Sequence, residues 1–573
     1  MRDYYGEGSA NFARDDAAAM PEMAAAEEAP MATDGGSALK GETTTATGAG
    51  PEYSGTNVQV AGVDEADVVK TDGSYIYYLA GGNLVIAKAD GEKTRVESTT
   101  QYFNQENWWG YSSEMFILGD RLMILTRGWN TVWIGTAKEG YQMDQNRTVS
   151  VVYDISNRNK PALVTTLGQS GSYVSSRMIG DYVYVVTSQQ VYSALRDAPS
   201  TYIPELVVNG TAKPMPIDSI YPYPDPKTPV YTVVSAFNLK DGTEHASSRA
   251  TLGGAGSVYC NEKHLLIAAS DYKEDVSPIA PDKDGKNVQT TVSTTNTRLM
   301  LFGLDSGKIE KLASATVPGG LLNQFSMDEY NGVFRVVTTV NEWTQRIFTD
   351  GVDTYEYDDD MYNCLYTLSG SLEVLGKLER LARDESVQSV RFDGDIGYFV
   401  TFRQVDPLFA VDLSNPEKPY ILDALKMPGF SDYLHVFSEG RLLGIGYAAD
   451  EKTGATQGVK LSMFDTKNKR NITELFTQRV DADWSMAGQN HKSILISPEK
   501  NLIAFPADQK YFIFSYSDAD GFTKKATVGL EDDLWSWNMR GLFIGDYFYV
   551  CSESSIVVLS LADFSRVAKI SIG

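Results

Sequence analysis

Residues 386–435 read SVQSVRFDGDIGYFVTFRQVDPLFAVDLSNPEKPYILDALKMPGFSDYLH, and this stretch limits what the chain can fold into more than any other. Four short apolar runs, 387–392, 396–402, 408–413 and 420–425, are separated by turn chemistry such as Gly394-Asp395 and Ser414-Asn415-Pro416. β-Branched and aromatic side chains fit a pleated, half-buried surface, and Gly, Asp, Asn and Pro fit tight reversals. The spacing predicts a four-stranded antiparallel meander.

The meander recurs from about residue 56 to the C-terminus. Its first turn returns as Asp72-Gly73, Gly119-Asp120, Gly180-Asp181, Asn261-Glu262, Asn331-Gly332, Glu439-Gly440 and Gly545-Asp546, followed by runs such as YIYYLA, YVYVVT and YFYVCS. Its later turn repeats as YDISN before Lys160-Pro161 and VDLSN before Lys418-Pro419. Alternation at period two dominates, and Gly and Pro punctuate at short intervals, which argues against helices. Repeated meanders bury their bare faces by packing sheet on sheet around an axis. The chain reads as all-β: a β-propeller of about nine four-stranded antiparallel blades, or eight if one meander is not a blade or the two ends share one.

The long connections, at 127–147, 189–229, 271–297, 341–363 and 449–458, fall between second and third strands. In a propeller these share one rim with the starts of the inner strands, and the tight first hairpins occupy the other. One face is therefore expected to be decorated with loops, where binding residues concentrate on a rigid scaffold.

Residues 1–55 are rich in Ala, Glu, Thr and Gly and poor in large aliphatic residues. Such a segment cannot offset its ordering entropy, so it is expected to be a disordered tether ahead of a propeller domain over 56–573. The formal charge of −25 argues against a nucleic-acid partner, whose phosphates it would repel. Cys260, Cys364 and Cys551 show neither metal-ligand spacing nor a disulfide framework. No apolar run is long enough to span a bilayer, and Met1-Arg2-Asp3-Tyr4 opens no signal peptide.

Several segments carry more than a generic repeat: TNVQVAGVDEADVVKTDGSYIY at 56–77, FSMDEYNGVFRVVTT at 325–339, the 389–413 meander, PGFSDYLHVFSEGRLLGIG at 428–446 and HKSILISPEKNLIAFP at 491–506. Together they resemble the bacterial and archaeal family of secreted or surface proteins with a C-terminal β-propeller domain distantly related to WD-40 repeats. The resemblance implies a propeller fold and an extracytoplasmic, secreted or surface-anchored location, with membrane contact only through an upstream anchor. It assigns no catalytic residues.

Candidate chemistry gathers near the axis. Asp64, Glu65 and Asp67, with Asp72, are spaced so that they could collect a hard cation such as Ca²⁺. The plainer reading is that they hold backbone where the ring closes. His435 and His491 each begin the inner strand of successive blades and could bind a metal or move protons; the plainer reading is a hydrogen-bonded structural role. Trp535 and Trp537, with Trp484, could stack on a sugar or peptide or fill gaps between blades. The acidic run DTYEYDDD at 353–360 reads as solvated. No GxSxG, HExxH or phosphate-binding loop is present. The expected function is a non-catalytic extracytoplasmic propeller that binds a protein or glycan partner through its decorated face. The alternative is an enzyme, a hydrolase, lyase or oxidoreductase, using His435, His491 and nearby carboxylates at the axial mouth. Topology places the principal pocket at the mouth on the insertion side.

Overall fold

The computed structural model describes residues 51–572, apart from 103–112, 136–139, 193, 195–198, 222–228, 350–353, 403–405, 451–452 and 530–537. Among the described residues the repeated runs form nine antiparallel meanders, at 69–101, 114–170, 172–252, 257–318, 327–381, 386–427, 430–479, 495–529 and 540–571, numbered here as units 1 to 9. Seven sheets hold one meander each, and one nine-stranded sheet holds units 4 and 5. The first hairpins turn where the sequence marks them; Gly180 takes φ +56° and Asn331, which tolerates this region better than most residues, takes +53°.

Each sheet face is covered by its neighbour, so the core is a ring of inter-unit clusters. Ile76 and Tyr78 of unit 1 meet Tyr549 and Val558 of unit 9, which closes the circle. Phe334 and Tyr366 of unit 5 meet Leu266 and Leu301 of unit 4, and Ile445 and Met463 of unit 7 meet Phe512 and Phe514 of unit 8. Burying a side chain such as Phe334, with 0 % exposure, contributes about 1.5–3 kcal/mol. Tyr53 pairs with Ile544, and the Ser54 amide donates to the Phe543 carbonyl at 3.0 Å, so the N-terminal side is tied to unit 9 ahead of Thr56.

At least four of the five expected loops contain pleated structure, among them the 127–147 connection, where strands Arg121–Gly135 and Gly140–Asp154 stay paired as far as Gly135↔Gly140. In the 271–297 and 341–363 connections, strands His264–Val276 and Asn287–Asp305, and Val333–Phe348 and Thr354–Leu368, run on past the blades. They pair with each other from Val288↔Phe348 to Thr294↔Glu342. The period-two alternation continues through these segments, so the backbone keeps its ladder instead of looping. The described part of the acidic run, 354–360, is thus strand, and Asp360 pairs with Arg380 and Arg383 at 2.7 and 2.6 Å. In the 189–229 connection, Glu205–Val208 adds to the outer strand of unit 2. Residues 1–50, where most of the tether was expected, lie outside the described residues.

Candidate functional site at the axial mouth

Residues 54–68 form a strap that runs around the bore against the order of the units. After Ser54 on unit 9, Asn57 Nδ2 donates to Tyr433 Oη of unit 7 and to the His491 carbonyl ahead of unit 8, both at 2.9 Å. Gln59 Nε2 then donates to the carbonyls of Gln324 and Met327 at unit 5, each at 3.0 Å. Val63 enters the core shared by units 3 and 4, Asp64 pairs with Met178 of unit 3, and Asp67 pairs with Met115 of unit 2. The chain then enters unit 1. The strap divides the bore into a cavity of about 700 Å³ at the inner-strand starts, on the insertion side, and one of about 240 Å³ toward the short hairpins.

Glu65 sits at the floor of the larger cavity, 3 % exposed. Its Oε2 lies 3.0 Å from His491 Nε2, and its Oε1 accepts from the Gln59 amide at 3.1 Å and from Gln324 Nε2 at 3.2 Å. Arg177 Nη2 stands 3.6 Å from Oε1. Burial pushes this carboxyl upward, but the charges of Arg177, His491 and Lys492 and the His491 hydrogen bond outweigh burial and hold it well below the usual carboxylate range. Lys492 in turn pairs with Glu114 and donates to the Ala66 carbonyl at 2.8 Å. These charges neutralise one another.

Asp432 is different. Ser431 pairs with Gly446 and Tyr433 with Ile445, so Asp432 is the extra residue of a bulge at the start of the inner strand of unit 7. A bulge re-aims a side chain out of the alternation, and here it turns the carboxyl into the mouth. Gly446 and Gly488 leave the room: a Cβ on Gly446 would stand 2.1 Å from the Phe430 carbonyl, and one on Gly488 2.5 Å from Asp432 Oδ2. Burial raises the Asp432 carboxyl to about 7.

A family profile for the beta propeller domain matches residues 53–564. The chain belongs to this family. Two archaeal relatives, both described only as uncharacterized proteins, match it along nearly its whole length. The one from Archaeoglobus fulgidus is 30 % identical over 606 aligned residues, covering 95 % of this chain and 88 % of the relative. The one from Methanocaldococcus jannaschii is 26 % identical over 587, covering 90 % and 83 %. Among solved structures, apo AztD from Citrobacter koseri aligns over 59 % of this chain and 92 % of its own at 12 % identity, with a TM-score of 0.27, too loose to argue from.

In this propeller His491 lies in the short turn before the inner strand of unit 8 and lines the mouth. His435 lies in mid-strand, 3 % exposed, below it. The two are joined through polar side chains: His435 Nδ1 is 3.2 Å from Tyr433 Oη, which accepts from Asn57, which also donates to the His491 carbonyl. Burial, then the charge of Arg391, hold the His435 imidazole well below its ordinary value, so it is neutral. The strap carboxylates diverge to separate cations: Asp64 to Lys70 at 2.6 Å, Glu65 to Arg177 and His491, and Asp67 to Arg540 at 2.9 Å. Among the described residues no three His, Cys, Asp or Glu side chains gather as metal ligands. Trp535 and Trp537 lie outside the described residues. Asp432 and Arg177 belong to the site but were not singled out from the sequence; the signal for Asp432 is the broken alternation in FSDYLH.

Proposed function

We propose that this propeller is an extracytoplasmic binding module that engages a protein or glycan partner with the face carrying the insertions, centred on the axial mouth. The observation that carries this reading is the mouth's electrostatics. Glu65, Arg177, His491, Lys492 and Glu114 are committed to one another in the resting site. What remains for a partner is a rim of amides, hydroxyls and the Asp432 carboxyl, a surface for recognition by hydrogen bonding. The sheet extension beside it adds an exposed aromatic face, where Trp343 and Tyr357 stack at 5.3 Å and Tyr355 is 53 % exposed. Exposed aromatic clusters of this kind suit partner contacts.

One observation favours a second reading. A carboxyl that holds its proton near neutral pH can act as a general acid or base, which would make Asp432 the working group of an enzyme. One experiment separates the two. The protein and its Asp432→Asn variant are immobilised and exposed to cell-surface proteins and cell-wall polysaccharides, and the eluates are checked for chemical change. A binding module retains an unaltered component that Asp432→Asn holds less well. Turnover of any component by the native protein, abolished in the variant, would replace this reading with the enzymatic one.

A further inference from the structure

The sheet extension of units 4 and 5 ends in a free edge. Its outermost strand, Thr354–Leu368, pairs with Val333–Phe348 along its whole length on one side. On the other side Val374–Leu381 meets it only from Asn363 onward. Residues 354–360, TYEYDDD, therefore present an unpaired row of backbone donors and acceptors among the described residues. Thr354 to Asp359 are exposed one after another, so both faces of this edge stand open.

The register sorts the side chains between the two faces. Trp343 pairs with Asp359, Gln345 with Tyr357 and Ile347 with Tyr355, without a shift. One face of the edge thus carries Tyr355, Tyr357 and Asp359, with Trp343 stacked on Tyr357. The other face carries Glu356 and Asp358. Asp360 is held by Arg380 and Arg383, and Asp358 reaches Arg346 only at 4.0 Å. Glu356 and Asp359 are paired with no cation among the described residues.

Carboxylates on an edge strand guard it against pairing with other sheets. That guard does not account for the exposed rings, which make an edge more adhesive. Rings beside unpaired carboxylates form a surface for cations. We propose that this edge takes an extended lysine- or arginine-rich segment of a partner protein as an added strand. Main-chain hydrogen bonds supply the affinity and alternate side chains the specificity. Every second side chain of the added strand stands beside Tyr355, Tyr357 and Asp359, where a cation meets a ring and a carboxylate. The remaining side chains stand beside Glu356 and Asp358. A second copy of this chain pairing edge to edge would set like charges opposite one another, which is unfavourable. The proposal rests on the reading of this rim as the binding face and gives the partner's chemistry there.

The test titrates the whole protein with a fluorescent peptide of alternating lysine and threonine, followed by anisotropy. The same peptide N-methylated along its backbone, its glutamate counterpart and neutral linear tetrasaccharides are run beside it. The basic peptide binds, and more weakly as salt is raised. N-methylation keeps the charge but blocks the ladder, and weakens binding at least tenfold. Tyr357→Ala and Glu356→Lys each weaken it at least tenfold, whereas Glu439→Lys, on a short hairpin of the opposite rim, changes it less than twofold. Residues 356 and 357 are exposed, so both variants keep the native melting temperature. Binding of the glutamate peptide or a tetrasaccharide in place of the basic peptide would overturn the proposal, as would affinity unmoved by N-methylation or by Tyr357→Ala. Should the basic peptide fail while the axial mouth still retains its own component, the edge assignment falls and the reading of the mouth stands.

Discussion

Asp432 reaches the mouth because a bulge turns it there and because Gly446 and Gly488 have no side chain to block it. Its raised carboxyl has a consequence for stability. The folded protein keeps a proton that the unfolded chain releases, so the stability linked to this group is present below the ordinary value of 3.8 and is lost as pH rises toward about 7. Asp432→Asn removes the cost of the charged form. We expect the variant to unfold with native-like stability at pH 4 and to exceed the native protein at pH 8. The gain is on the order of 1–2 kcal/mol, reduced from the full shift because the group faces an open mouth. Chemical denaturation at the two pH values measures it, and equal differences at both would contradict the assignment. The residue was partly legible in the sequence. FSDYLH places polar and apolar side chains out of step, which marks a bulge, but which way the extra residue points depends on glycines 14 and 56 positions further on, at 446 and 488.

The strap shows where reading by sequence stops. TNVQVAGVDEADVV announces acidic residues ahead of the first strand; the plainer of two readings has them holding backbone where the ring closes, whereas their main partners are the side chains of Lys70, Arg177, His491 and Arg540. Those partners could not be named, because His491 stands 426 residues from Glu65 and Arg540 stands 473 from Asp67. The sheet extension was hidden for a different reason: its strands alternate as blades do, but their polar, exposed residues have the composition of a loop. Glu65 is the strap's joint. Replacing it by Gln leaves Arg177 facing a neutral amide in a buried site, which costs about 3–5 kcal/mol for a broken buried pair. Because the native carboxyl is held low, its contribution is complete above about pH 4.5 and is lost as pH falls below that value. Thermal unfolding from pH 7 to pH 3 is therefore expected to be steeper for the native protein than for Glu65→Gln below pH 4.5. Parallel curves would show that the pairing does not stabilise the fold.

Among the described residues nine meanders close on themselves through the core of units 1 and 9, and this was the most legible level, since repeats and turn spacing give the unit and a count of about nine, with eight left open. Closure also sorts the surface into two rims, one of short hairpins and one bearing the mouth and the sheet extension with its free edge. The central claim is that the second rim does the binding. The three native cysteines help to test it: Cys260, Cys364 and Cys551 are buried in inter-unit cores, and burial pushes the thiols of Cys260 and Cys551 up to about 12, so an introduced thiol can be labelled selectively. Gln489 is exposed at the mouth, and Lys263 is exposed on a short hairpin of the opposite rim. Gln489→Cys and Lys263→Cys, each coupled to a bulky maleimide, are compared for capture of the surface component that the unlabelled protein retains. Binding abolished by the label at 489 and kept with the label at 263 is the predicted result; binding that survives at 489 and is lost at 263 would contradict the account.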